Sequence, residues 1–220
     1  MNKLLLGVSV LTSLPEAFAQ TDLNGKMFVL PGESSSDRVN QLIKLEKPLQ
    51  NFTLCFRAYS DLSCGSLFSY SIQGKDDEIL IFERIGEYTL YIRRTQATTR
   101  VIEELPSSAH ICNSWVSSSG IIQFWVNGKP LVKKGLRQGY FVGAHSKIVL
   151  GQEQDACGGG FDKSQSSVGE PGDLYLRDSV MSPDEILSVF QAPLNPTFLD
   201  WWALNYEVKG YVVISPWWWG

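Results

Sequence analysis

Phe52-Thr53-Leu54-Cys55-Phe56-Arg57-Ala58-Tyr59 alternates Phe52, Leu54, Phe56 and Ala58 with Thr53, Cys55, Arg57 and Tyr59. A period of two sends successive side chains to opposite faces of a strand, so one face of this segment enters a core and the other meets solvent or a second layer. Similar short runs, rich in Val, Ile, Phe, Tyr and Thr and bounded by turn residues, recur over 27–30, 67–72, 78–85, 88–92, 111–116, 121–126, 148–150 and 211–214. That rhythm predicts an all-β chain whose strands pack as two sheets.

Asn127-Gly128, between the 121–126 run and Leu131-Val132, supplies the two positive-φ residues of a type I′ hairpin turn. One short helix is predicted near 183–190, with Ser182 as cap, Pro183 at the first helical position and Glu185 closing a capping box ahead of Ile186, Leu187, Val189 and Phe190. Pro193 is expected to end it. Trp217-Trp218-Trp219 reads as core or interface packing by a closing strand, in preference to an interfacial anchor, and is assigned no site.

With 220 residues, 44% hydrophobic and 19% charged, the chain has apolar material for a large core and too little charge for disorder. One domain of β-sandwich size is expected. A net charge of -4 and a pI near 5.2 provide no basic field, which disfavours nucleic-acid reading as a primary task. Lys3, the apolar run Leu4 to Leu14 and Ala17-Phe18-Ala19 form a secretory signal pattern, so residues 1–19 are read as a signal peptide and 20–220 as the mature domain. No run reaches the about 18 apolar residues of a spanning helix, and no integral membrane association is expected.

Secretion makes disulfides available to Cys55, Cys64, Cys112 and Cys157, which allow three full pairings. Asn51-Phe52-Thr53 is a glycosylation sequon that places a candidate glycan on Asn51. Common catalytic signatures are missing: there is no GxSxG, HExxH, Walker loop or dinucleotide fingerprint. Two acidic groups stand out instead. Glu153 and Asp155 sit in Gly151-Gln152-Glu153-Gln154-Asp155 ahead of Gly158-Gly159-Gly160, and Asp76-Asp77 precede the 78–85 run. Calcium gathers about 6 to 8 oxygens from carboxylates, amides and backbone carbonyls, so the two groups together suit a calcium cage if the fold unites them.

His110-Ile111-Cys112-Asn113-Ser114-Trp115-Val116-Ser117 matches the pentraxin motif His-x-Cys-x-Ser/Thr-Trp-x-Ser/Thr at every fixed position. The stretches Leu45 to Leu62, containing Lys47 to Tyr59, and Leu131 to Gln154, containing Lys133 to Tyr140, also resemble that family, and the likeness covers the whole mature chain. The resemblance implies a flattened jelly-roll sandwich with a helix on one face and calcium on the other, assembled as a homopentamer that can stack as a decamer. It implies two calcium ions per protomer, held by Asp76, Asp77, Glu153, the Gln154 carbonyl, Asp155 and Gln165, with Glu153 and Asp155 bridging both. Asp77 stands where the family usually carries Asn. A Cys55–Cys112 disulfide is implied as a brace between the two sheets. Cys64 and Cys157 are left as a candidate second pair, and His110 as a framework residue.

The reading that follows is a secreted, calcium-dependent, lectin-like pattern-recognition protein and not an enzyme. Leu80, Phe82 and Tyr91 would form an apolar wall beside the ions. Expected ligands are phosphoethanolamine, acidic carbohydrates, DNA or chromatin, glycosaminoglycans and amyloid fibrils. Residues 92–100 hold no carboxylate to face a quaternary ammonium and add Arg93, Arg94 and Arg100 near the pocket, so phosphoethanolamine is expected over phosphocholine. Two rivals are a jelly-roll glycosidase using Glu153 and Asp155, weakened because Cys157 takes the next alternate position, and a laminin-G-like adhesion module.

Overall fold

This computed structural model describes residues 22–43, 45–60, 64–101, 107–191, 199 and 201–218, and among these described residues it orders fifteen strands and one α-helix. In chain order the strands are β1 (Lys26–Val29), β2 (Arg38–Gln41), β3 (Asn51–Ser60), β4 (Cys64–Ile72), β5 (Lys75–Arg84), β6 (Glu87–Ile92), β7 (Thr95–Arg100) and β8 (Ser107–Val116). There follow β9 (Ile121–Val126), β10 (Lys129–Pro130), β11 (Lys134–Gly135), β12 (Lys147–Leu150), β13 (Glu170–Arg177), α1 (Pro183–Gln191), β14 (Tyr206–Lys209) and β15 (Val213–Pro216). Six strands, with path β10-β9-β8-β3-β13 and β11 on β9, form one antiparallel sheet; seven, ordered β14-β2-β12-β4-β5-β6-β7, form the other. β1 and β15 pair separately and join the two ends of the described chain.

The predicted alternation holds at the centre of the six-stranded sheet. Phe52, Leu54 and Phe56 are buried in the core with Ile111, Trp115, Ile122 and Phe124 from the neighbouring strands, facing Phe68, Tyr70, Ile79, Ile81 and Leu90 of the other sheet. The Trp115 indole is fully buried and donates to the Leu136 carbonyl at 2.8 Å. At the Val126–Lys129 turn, Asn127 and Gly128 adopt φ of +50° and +72°, and a Cβ on Gly128 would lie 2.9 Å from Phe190 of α1, so only glycine fits there.

The helix begins as expected: Ser182 N–H donates to Glu185 Oε2 at 2.7 Å, and Glu185 N–H to Ser182 Oγ at 3.3 Å. It buries Ile186 and Val189 and sits on the six-stranded sheet, where Arg57 of β3 donates to the Phe190 carbonyl at 2.5 Å and pairs with Asp173 of β13 at 3.2 Å. Pro193 and the signal segment lie outside the described residues. So does Trp219; Trp217 is half-buried under the Arg57 guanidinium at 4.8 Å, whereas Trp218 is 84% exposed, so the packing expected of this run is realised at Trp217 alone among the described residues.

Two expectations need correction. The closing strand is Val213–Pro216 and not 211–214: Gly210 turns with φ +71° and Tyr211 N–H binds Asp37, which delays extended pairing. The Cys55–Cys112 disulfide is present but does not brace two sheets. The two residues face each other on adjacent strands β3 and β8, 4.1 Å apart at Cα, so the bond staples the centre of one sheet. Closing a separation of 57 residues, it restricts the unfolded chain by about 4 kcal/mol in the loop-entropy picture.

Candidate functional site

The acidic residues assemble on the seven-stranded sheet, on the opposite side of the sandwich from α1. Asp76 and Asp77 enter β5 just after the Gln73-Gly74 turn, and the β4–β5 register shifts between Tyr70 and Ile72 beside them. Asp77 takes φ +46°, a conformation that L side chains rarely adopt, and this bulge breaks the alternation. The next residue, Glu78, is thereby fully buried and accepts from the Tyr140 hydroxyl at 2.5 Å and Gly143 N–H at 2.7 Å, which fixes the start of β5 against the 140–143 loop.

Glu153, Gln154 and Asp155 follow β12 in a loop secured through the Gln154 carboxamide. Its Nε2 donates to the carbonyls of Ser69 at 3.0 Å and Lys147 at 3.1 Å, and its Oε1 accepts from Gly158 N–H at 2.8 Å. The side chain is thus committed to anchoring, leaving the backbone carbonyl, approached only by Ser71 Oγ at 3.5 Å, as the available oxygen. Gln165 ends a 3-10 turn, Lys163–Gln165, capped by Asp162. The following Ser166 and Ser167 lie on Gly65 of β4 so closely that a Cβ there would meet the Ser166 carbonyl at 2.8 Å.

These carboxylates feel one another. Burial, then the charges of Asp76 and Asp155, push Asp77 up to about 6. Burial, then Asp77, Asp155 and Asp76, push Glu153 up to about 7, with only Arg84 opposing. Asp76 goes the other way because Arg94 hydrogen-bonds it. Asp77 Oδ1 and Gln165 Oε1 are buried without a hydrogen-bond partner. A buried Asp77 oxygen without a donor, among carboxylates that oppose one another's ionisation, fits a hard divalent cation taking oxygen ligands.

Leu80 pairs across from Tyr91 on β6, with Phe82 two residues on along the same face. Leu80 and Phe82 are buried yet stand apart from the main core cluster, as outer-face residues should. Tyr91 is half-buried, and its hydroxyl is pushed up first by burial, with Arg84, Glu153 and Asp77 also acting on it; pocket and cage are therefore contiguous. Arg84, whose guanidinium lies 5.6 Å from the Phe82 ring centre, was not picked out by sequence reasoning, although its i, i+2 relation to Phe82 was a usable signal. Asn51, the sequon residue, is half-buried at the first position of β3.

Some expected neighbours do not meet. Arg100 pairs with Glu87 at the far end of the β6–β7 hairpin, five residues and about 17 Å from the Ile92–Thr95 turn, so it does not join Arg93 and Arg94 on Asp76. Cys64 and Cys157 are both free thiols, and the second bridge is not formed. Cys157 contacts the Ser71 carbonyl at 3.7 Å, while Cys64 opens the same strand seven residues earlier, about 23 Å away. His110 is buried beside the disulfide, with Nε2 3.7 Å from Cys112 Sγ, and burial lowers it to about 3, a neutral framework imidazole.

The pentaxin family profile matches residues 26–216, and the chain belongs to that family, the pentraxins of the motif above. Serum amyloid P-component of Bos taurus is 65% identical over the full length of both chains, and that of Homo sapiens 66% identical over 98% of each. Among solved structures, a native heptameric SAP-like pentraxin from Limulus polyphemus superposes with a TM-score of 0.82 at 20% identity, covering 89% of this chain and 97% of that one. The chain is therefore a secreted pattern-recognition protein of a calcium-binding family and not an enzyme, which removes the glycosidase reading of Glu153 and Asp155. No helix among the described residues is long and apolar enough to cross a membrane.

Proposed function

We propose that this face recognises ligands in a calcium-dependent way, with two ions per protomer held by Asp76, Asp77, Glu153, the Gln154 carbonyl, Asp155 and Gln165. The observation that carries this reading is the unsatisfied state of the cage: Asp77 Oδ1 and Gln165 Oε1 lack donors, and Asp77 and Glu153 resist ionisation next to Asp76 and Asp155. Bound calcium supplies open coordination positions for phosphate or carboxylate oxygens of a ligand. Leu80, Phe82 and Tyr91 then offer the apolar wall.

The ligands proposed are phosphoethanolamine, acidic carbohydrates, DNA or chromatin, glycosaminoglycans and amyloid fibrils. The assembly proposed is a homopentamer, single or stacked as a decamer; the Limulus relative is heptameric by description, so ring size is a separate question from the fold. A ring multiplies weak single sites, and avidity exceeds one-site affinity by about 10² to 10⁴ when ligands are multivalent. The mature chain is proposed to run from residue 20 to 220 after removal of residues 1–19, with a glycan on Asn51.

Elution from immobilised phosphoethanolamine tests the function. Retention in calcium and release by chelator are expected, with soluble phosphoethanolamine displacing the protein at lower concentration than phosphocholine, because residues 92–100 supply no carboxylate to pair a quaternary ammonium. Retention in chelator, or displacement by phosphocholine at equal or lower concentration, would contradict it.

A further inference from the structure

Arg93 and Arg94 form the two-residue turn between β6 and β7, where Ile92 pairs with Thr95, and both have left-handed φ, +47° and +62°. Asn-Gly is the ordinary occupant of such a turn, and two consecutive arginines in this region hold backbone strain. The strained turn brings both guanidinium groups to one carboxylate. Arg94 Nε donates to Asp76 Oδ1 at 2.8 Å and its NH2 group to Oδ2, while Arg93 NH1 adds a bond to Oδ1 at 3.2 Å. Arg137, exposed and itself left-handed, braces the turn by donating to the Arg93 carbonyl at 2.7 Å. Asp76 is 10% exposed and Arg94 66% exposed, so the arginine can leave without disturbing the core.

The same Asp76 carboxylate is a ligand in the calcium reading. Both of its oxygens are already occupied by guanidinium donors, so filling the cage exchanges one positive partner for another and leaves Arg94 uncompensated next to the ions, with Arg93 keeping only Glu78 Oε1 at 3.9 Å. We propose that the Arg93–Arg94 turn is a second anion-binding element of this face, held on Asp76 while the cage is empty and released to grip a second phosphate or sulfate of a ligand once Asp76 coordinates calcium. The guanidinium fork suits such groups because it meets them bidentately. Ligands with two separated anionic groups are then favoured over those with one. This rests on the calcium reading of the cage.

Isothermal titration of the full mature chain tests both halves. Arg94→Gln and Arg94→Gly each remove the competitor, and the second also relieves the left-handed backbone, so an effect shared by both belongs to the guanidinium. Calcium affinity should tighten about threefold in each variant, the size of one exposed ion pair. At saturating calcium, fructose 1,6-bisphosphate should bind the double variant Arg93→Gln/Arg94→Gln about tenfold more weakly than wild type, with phosphoethanolamine changed by less than about twofold. Unchanged or weakened calcium binding in both Arg94 variants, or equal loss of the two ligands, would overturn the inference while leaving the cage intact. Absence of calcium binding in wild type would overturn the cage and this inference together.

Discussion

Gln154 Nε2 donates to the Ser69 carbonyl at 3.0 Å, tying the acidic loop after β12 to the middle of β4. Ser69 Oγ also meets Gln154 N–H at 3.2 Å, so one serine positions both the backbone and the side chain of the residue whose carbonyl is the proposed ligand. Replacing Gln154 by Ala leaves the Ser69 and Lys147 carbonyls and the Gly158 N–H without this partner. The expected loss is about 2 kcal/mol of stability. Urea unfolding measures it, and calcium affinity should fall too, although no proposed ligand atom is deleted. Wild-type stability and calcium affinity in the variant would show that the carboxamide does not position the loop.

His110 predicts an acid-side dependence. Its folded value of about 3 lies below the ordinary 6.5, so between those values the unfolded chain binds a proton that the folded chain refuses. Stability contributed by the neutral imidazole is therefore full above about 6.5 and declines as pH falls toward 3, by up to about 1.4 kcal/mol per unit. His110→Asn cannot titrate there. Urea unfolding from pH 7 to pH 4 should give a steeper decline for wild type than for the variant, and parallel profiles would refute the assignment.

The two free thiols give a mass prediction. Unfolding in iodoacetamide without reductant should add two carbamidomethyl groups, at Cys64 and Cys157, and reduction should expose two more at Cys55 and Cys112. A monomer with no modified cysteine before reduction would mean that the loop carrying Cys157 had moved to the far end of β4.

Legibility followed the range of the interactions. The alternation of Phe52 to Tyr59, the Asn127-Gly128 turn and the Ser182–Glu185 box are local, and each is realised where the residues predicted it. Strands with weak local signals were missed: Arg38–Gln41 is short and largely polar, and Glu170–Arg177 carries Pro171 and Gly172, tolerated because β13 is an edge strand with an irregular register. The two acidic groups were visible in the sequence. Their meeting was not, because it depends on β12 and β5 both flanking β4. The grip of Arg93 and Arg94 on Asp76 crosses 17 and 18 residues and needs a left-handed turn that arginine rarely adopts, so nothing local announced it.

Calcium titration of the mature chain by calorimetry, wild type beside Asp155→Asn, tests the cage most directly. Two ions per protomer are expected for wild type. The variant removes a charge that the proposal has both ions share, and should weaken both steps by about tenfold or more, since calcium affinity follows the number of charged ligands. Wild-type protein that takes up no calcium, or an Asp155→Asn variant that binds it with unchanged affinity, would contradict the assignment of these residues as the calcium site.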